Sequence, residues 1–192
     1  MFNDMKRIIL ITGGQRSGKS SKAEELALSL SDHPVYLATA HIWDDEFKER
    51  VRIHQERRGP QWTNIEEEIH LSRHNLTGHV VVIDCVTLWL TNFISIENST
   101  LNIEHYLDMA KAEFDKFTEP DATYIFVTNE IGSGGVSENA LQRKFTDLQG
   151  WMNQYIALKA DEVILMVSGI AVKVKSEERR RGRERYARTK WQ

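Results

Sequence analysis

RIILITGGQRSGKSSKAEELA, residues 7–27, joins three patterns without a break. Arg7–Thr12 is a near-continuous apolar run, as expected of a strand covered on both faces. Gly13-Gly14-Gln15-Arg16-Ser17-Gly18-Lys19-Ser20 then matches G-x-x-x-x-G-K-[ST]. After it, Ala23, Leu26, Ala27 and Leu30 recur at the three- and four-residue steps of a helix face. Strand, glycine loop and helix in that order make a phosphate cradle. The glycines let several backbone N–H groups converge on one anion, and the helix adds its positive end. Residues 13–20 are therefore the expected nucleotide-binding set. Lys19 reaches the β- and γ-phosphate oxygens and counts as catalytic as well, while Ser20 ligates Mg²⁺.

Beyond this loop, Val35–Thr39, Val80–Cys85, Thr123–Thr128 and Val163–Val167 read as further strands, with Gly169–Lys175 as a possible sixth pairing with the fifth in a hairpin. Two more segments show helical spacing: Ile103, Tyr106, Leu107, Ala110, Phe114 and Phe117, and then Leu141, Phe145, Leu148, Met152 and Ile156. The alternation predicts an α/β, three-layer domain with a mostly parallel sheet. Ligands in such sheets sit beyond the carboxyl ends of the strands. Asp84, ending the run VVVID, is placed to be the magnesium-holding acid. Glu130, just past the fourth strand, is placed to orient Mg²⁺ or a hydroxyl. Cys85 reads as a small buried residue.

Composition agrees with one globular domain. The 192 residues are 41% hydrophobic and 28% charged, with no apolar run long enough to span a membrane and no signal-like start. A lone cysteine gives no reason to invoke an oxidising compartment, so the cytoplasm is expected. The net charge of −3 is unevenly spread: residues 176–192 hold seven basic and three acidic side chains, leaving −7 on the other 175. An acidic body speaks against nucleic acid as the partner. The expected division is a nucleotide-binding domain over 1–175 and a solvated basic tail over 176–192.

Four stretches in this order, GGQRSGKS, YLATAHIWDDEFKERVRIHQERRGPQWTNIEE, DCVTLWLTN and TNEIGSGGVSENALQRKFTDLQGWMNQYIALKADEVILMVSGIAVKVK, closely resemble the bifunctional adenosylcobinamide kinase / adenosylcobinamide-phosphate guanylyltransferase family of cobalamin biosynthesis. The resemblance runs from about Ile8 to Lys175. It implies a P-loop domain similar to RecA, assembled as a homotrimer. It also implies two reactions. A nucleoside triphosphate, ATP or GTP, phosphorylates the aminopropanol hydroxyl of adenosylcobinamide. GMP then passes from GTP to adenosylcobinamide phosphate through a GMP–histidine intermediate.

In the family an acidic pair precedes R-I-x-x-H, then a basic, proline-containing stretch and a tryptophan. Here these are Asp44-Asp45-Glu46, Arg50-Val51-Arg52-Ile53-His54, Arg57, Arg58, Pro60 and Trp62, with Val51 in place of isoleucine. The resemblance thus assigns the nucleotidyl acceptor to His54; Ile53 stands where some relatives carry a second histidine. A neutral imidazole is a competent nucleophile, and as a phosphoramidate a good leaving group. Phe47, Val51 and His54 would share one face of a charged helix over Asp44–Arg58, with Arg50, Arg57 and Arg58 offsetting phosphate charge. The loop GSGGVSEN departs from the family at Gly135 and Ser137, usually aliphatic and proline.

Several features have blander readings. Asn139 or Ser137 suits a helix cap, Gly150 close packing, and Trp89 the core rather than a corrinoid contact. Thr87 and Asn92 are candidates to line a pocket; Lys173 or Lys175 would touch nucleotide or simply mark a sheet edge. His70 and His74 have a spacing that could share a metal but lack a third ligand, and read as a solvated stretch. A reading from another class remains: a RecA-like ATPase or nucleotide-gated protein acting on nucleic acid through the basic tail.

Overall fold

The computed structural model describes residues 6–41, 49, 52, 58–96 and 102–176. Seven strands form one sheet: β1 (Arg7–Gly13), β2 (Val35–Ala38), β3 (Thr63–Glu66), β4 (Val80–Asp84), β5 (Thr123–Val127), β6 (Glu162–Val167) and β7 (Ile170–Lys175), in the order β3-β2-β4-β5-β1-β6-β7. Every neighbouring pair is parallel except β6–β7. The helices among the described residues include α1 (Lys19–Leu30), α2 (Val86–Ile96), α3 (Ile103–Phe117) and α4 (Ala140–Lys159).

Side-chain alternation along the strands sorts the core into two layers. Ile8, Leu10, Leu37, Val81, Ile83, Tyr124 and Phe126 pack under α2, α3 and α4 through Trp89, Leu90, Phe114, Leu148 and Met152. Ile9, Ile11, Tyr36, Val82, Ile125 and Val127 face the other way, where α1 inserts Ala23 and Ala27. This is the expected three-layer α/β domain. All six parallel strands point their carboxyl ends the same way, so the residues that directly follow β1, β4, β5 and β6 lie along one edge.

Two elements depart from expectation. TNIE at Thr63–Glu66 is a strand with exposed residues at three of its four positions. It has almost no apolar signature and is held by backbone pairing to β2 at the sheet edge. The stretch after Asp84, where no helix is expected, is the start of α2, whose Trp89 is fully buried and donates from Nε1 to the Ile69 carbonyl at 3.0 Å. Trp89 is therefore core. Asn92 is also consumed structurally, donating to the Thr39 and Glu68 carbonyls. Gly150 corrects another reading: a Cβ built there meets nothing within 4 Å, so close packing does not require the glycine.

The expected hairpin is present. Ser168 and Gly169 both take positive φ, 51° and 85°, which suits a two-residue turn between twisted antiparallel strands. On β7, Lys173 pairs with Glu162 at 3.1 Å and Lys175 caps the end of α4 through the Ala157 and Leu158 carbonyls. Lys175 thus lies at the end of the sheet opposite the glycine loop and serves as an edge residue.

Candidate nucleotide site

The loop after β1 is shaped by backbone geometry. Gly13 has φ 153°, and a Cβ there would sit 2.5 Å from the Met166 carbonyl oxygen, so only glycine passes between β1 and β6. Gly18 has φ 95° and forms the N-cap of α1. Arg16 bears φ 58°, a conformation uncommon for a residue with a Cβ. Gly14, Gln15 and Arg16 are exposed, whereas Ser17 and Lys19 are buried and Ser20 is half-buried. The hairpin turn braces the loop from below: the Gly169 N–H donates to the Ser17 carbonyl at 3.0 Å.

No side chain caps α1, whereas Asn102 and Asn139 cap α3 and α4. The first-turn N–H groups of α1 thus lack the side-chain acceptor the other two helices have, the condition for anion binding at a helix start. Lys19 Nζ donates to the Gly14 carbonyl at 2.6 Å and lies 3.5 Å from Ser17 Oγ, folded over the loop. Burial lowers its pKa, with the Asp84 charge among the influences opposing that.

Asp84 ends β4. That strand is separated from β1 by β5, so the two backbones are roughly 10 Å apart at ordinary strand spacing. This leaves room for phosphate and a hydrated cation between the acid and the loop. Asp84 Oδ2 accepts from the Tyr36 hydroxyl at 2.6 Å. Among the described residues Oδ1 makes no hydrogen bond. One carboxylate with a free oxygen, together with a serine hydroxyl at the helix start, suits Mg²⁺, which keeps most of its shell as water and phosphate. The following peptide, Asp84–Cys85, is cis. Cys85 is clamped by buried Thr39, whose hydroxyl donates to its carbonyl and accepts from its N–H, both at 2.8 Å. Burial pushes the Cys85 thiol up to about 12, as fits an inert packed residue.

β5 delivers the third edge of the site. The Glu130 N–H donates to the Gly13 carbonyl at 3.0 Å, tying this loop to the phosphate loop. Its carboxylate accepts from the Gly132 N–H at 3.0 Å and is exposed. Thr87 Oγ1 accepts from the Asn129 N–H, so this residue supports the loop. Asn139, rather than Ser137, caps α4 by accepting from the Leu141 and Gln142 N–H groups. His74 pairs with Glu67 at 3.5 Å, and His70 is exposed.

His54 lies outside the described residues, as do Asp44, Asp45, Glu46, Phe47, Arg50, Val51, Ile53 and Arg57. Of the expected charged helix, Glu49 and Arg52 are described; both are helical, and Arg52 Nε donates to Glu49 at 2.7 Å. Arg58 corrects an expectation. Its side chain is only 3% exposed, and its guanidinium stacks on Tyr36 and bonds Asn64, so it is not open to a phosphate. Tyr36 is the contact that sequence reasoning misses, because its reach to Asp84 depends on the β2–β4 register.

A profile described as cobinamide kinase / cobinamide phosphate guanyltransferase (CobU) matches residues 9–174. The bifunctional adenosylcobalamin biosynthesis protein CobU of Salmonella typhimurium is 37% identical over 183 residues, covering 88% of this chain and 99% of the relative. CobP of Pseudomonas aeruginosa, described in the same words, is 35% identical and covers 88% and 97%. Among solved structures, the flagellar accessory protein FlaH of Methanocaldococcus jannaschii aligns with a TM-score of 0.46 at 16% identity, over 90% of this chain and 79% of that one.

Proposed function

Because the chain belongs to the cobinamide kinase / cobinamide phosphate guanyltransferase family, we propose that it phosphorylates adenosylcobinamide and then transfers GMP from GTP to the new phosphate. The observation that carries the reading is the uncapped start of α1 after a glycine loop over which Lys19 is folded, with an acid at the carboxyl end of β4 in the same sheet. The N–H groups of residues 13–20 hold the triphosphate, and Lys19 leaves the Gly14 carbonyl to bridge β- and γ-oxygens. Ser20 and Asp84 hold Mg²⁺, which supplies charge neutralisation on the phosphates when bound. Glu130 stands at the lip of the loop to orient the corrinoid hydroxyl. ATP or GTP serves the first step.

In the second step a His54 ring nitrogen attacks the α-phosphorus of GTP. The N–P bond forms as the bond to the β-phosphate oxygen breaks; pyrophosphate leaves and the ring proton passes to solvent. A phosphate oxygen of adenosylcobinamide phosphate then displaces the imidazole, giving adenosylcobinamide-GDP. Splitting the transfer this way replaces one difficult displacement with two easier ones.

The catalytic domain is assigned to 1–175, ending with β7, and the basic segment 176–192 stands outside it. A homotrimer is part of the proposal. It is supported by Val167, Ile170, Val172 and Val174, an exposed apolar set on the hairpin that forms one edge of the sheet. Among the described residues no helix is long and apolar enough to cross a membrane; a cytoplasmic enzyme is proposed.

Incubation with adenosylcobinamide, GTP and Mg²⁺, followed by mass analysis, should show successive addition of phosphate and GMP. GTP labelled at the α-phosphate should leave acid-labile, base-stable label on the wild type and none on His54→Ala. Equal labelling of the two proteins would remove His54 from the mechanism. Strong stimulation of hydrolysis by DNA or RNA would favour the nucleic-acid reading instead.

A further inference from the structure

Tyr36 sits two positions before the end of β2, in register with Val82, and Ala38 is in register with Asp84. Side chains two apart on a strand share a face, so the Tyr36 ring lies along the same sheet face as Asp84. Its length carries the hydroxyl up to the carboxylate, 2.6 Å from Oδ2. The ring is 4% exposed and fixed from two sides. Trp62 meets it edge-to-face at 6.0 Å, and the Arg58 guanidinium carbon lies 3.6 Å from its centroid. Arg58 is itself anchored: Nε donates to Asn64 Oδ1 at 2.8 Å, and Nη1 lies 3.7 Å from Glu24 Oε1 on α1. A continuous set of contacts thus runs from the phosphate-loop helix through Arg58 and Tyr36 to Asp84.

Packing does not demand this arrangement. Phenylalanine would fill the same space, keep both ring contacts and avoid burying a hydroxyl. Among the described residues the hydroxyl has one partner, and that partner is the acid placed to hold the cation. A carboxylate oxygen can only accept, so at 2.6 Å the phenol is the donor. Donation to Oδ2 fixes the carboxylate and leaves Oδ1 without a hydrogen bond among the described residues.

We propose that Tyr36 is a positioning residue for the nucleotide-bound cation: its hydroxyl holds Asp84 through one oxygen so that the other is presented to the metal, and Arg58 holds the ring in place. This rests on the reading of Asp84 as the cation's acid. Outer-shell partners of ligating carboxylates typically contribute about 10–100-fold in metal affinity.

The test uses Mn²⁺ as the probe. Its affinity is measured by electron paramagnetic resonance with the full chain and a saturating non-hydrolysable GTP analogue, for wild type, Tyr36→Phe, Asp84→Asn and the double variant. Tyr36→Phe should weaken Mn²⁺ binding about 10-fold or more. It should leave analogue affinity in EDTA unchanged and raise the Mg²⁺ concentration needed for half-maximal turnover more than it lowers kcat at saturating Mg²⁺. In the Asp84→Asn background the same change should add nothing. If Asp84→Asn weakens Mn²⁺ and Tyr36→Phe stays within about twofold of wild type, the proposal for Tyr36 is wrong while the Asp84 reading stands. If Tyr36→Phe lowers analogue affinity equally with and without metal, the residue is merely structural and the proposal fails. If Asp84→Asn leaves Mn²⁺ affinity intact, the Asp84 reading falls and takes this one with it.

Discussion

The same three chemical parts, a tyrosine, an aspartate and a cation, are assembled twice at opposite ends of the sheet. At the carboxyl end Tyr36 donates to Asp84 at 2.6 Å and Arg58 covers the ring. At the other end Tyr155 donates to Asp115 at 2.6 Å, and Lys159 lies 4.7 Å from that ring. The difference is where the cation's charge goes. Lys159 takes the second oxygen of Asp115 at 2.6 Å, so both oxygens are occupied from within. Arg58 instead turns to Asn64 and Glu24, and among the described residues Asp84 keeps one oxygen without an internal donor. A closed trio staples α3 to α4, while an open one can receive something from outside. Burial differs in the same sense: Tyr36 and Arg58 are buried, whereas Lys159 and Asp115 are 38% and 45% exposed.

The largest contrast is expected from the two aspartates. Asp84→Asn should lower kcat/KM for the kinase step by about 1,000-fold, as fits loss of metal-borne charge stabilisation worth several kcal/mol. Its melting temperature should hold or rise, since an acid kept for function rarely serves stability. Asp115→Asn should leave kcat/KM within about twofold of wild type, because it lies at the far end of the sheet. Steady-state kinetics on the two variants side by side would check this. Comparable losses would mean that openness of the carboxylate is no guide to function here.

The two cations come next. Removing one partner from a buried charge cluster costs about 3–5 kcal/mol, whereas an exposed pair contributes about 0–1. Arg58→Ala should therefore cost about 3 kcal/mol in urea unfolding, with Lys159→Ala costing under about 1. The reverse order would show that Arg58 is dispensable to the fold, and that Tyr36 is held by Trp62 alone.

These contrasts also mark what the chain declares locally and what it does not. The phosphate loop is legible because its chemistry is contiguous: residues 13–20 are neighbours in sequence and in space. Asp84 is legible because a carboxylate ending VVVID sits where parallel strands deliver ligands. β3 is not, because TNIE carries no apolar alternation and is ordered by β2 rather than by its own side chains. α2 is hidden because VTLWLTN is rich in β-branched and aromatic residues that favour strands in isolation; burial of Trp89 and Leu90 overrides that preference. Tyr36 is the hardest case. Within VYLAT it is an ordinary strand former, and its meaning comes from a partner 48 residues away, fixed by the β2–β4 register. Arg58 is misread for the same reason: an arginine next to Arg57 suggests phosphate, and only packing shows that it serves a ring.

The smallest effect expected is the pH dependence of the closed trio. Burial alone would raise the Asp115 carboxyl, but the hydrogen bonds from Lys159 and Tyr155 outweigh it and hold the pKa below the ordinary range. A depressed carboxyl stabilises the fold fully above its unfolded-state value, about pH 4, and loses that contribution as pH falls through the folded-state value. Lys159 is shifted upward, chiefly by its hydrogen bond to Asp115, so its share is intact below the ordinary lysine pKa and fades only as pH rises through the folded-state value. Asp115→Asn should thus be less stable than wild type by under about 1 kcal/mol at neutral pH, in keeping with a pair this exposed. The gap should close towards about pH 3, as the wild-type carboxylate takes up its proton. Urea unfolding at both pH values measures it. A gap that persists undiminished in acid would show that the Tyr155 hydrogen bond, which a neutral carboxyl can still accept, is what joins α3 to α4, and that the lysine's charge is incidental.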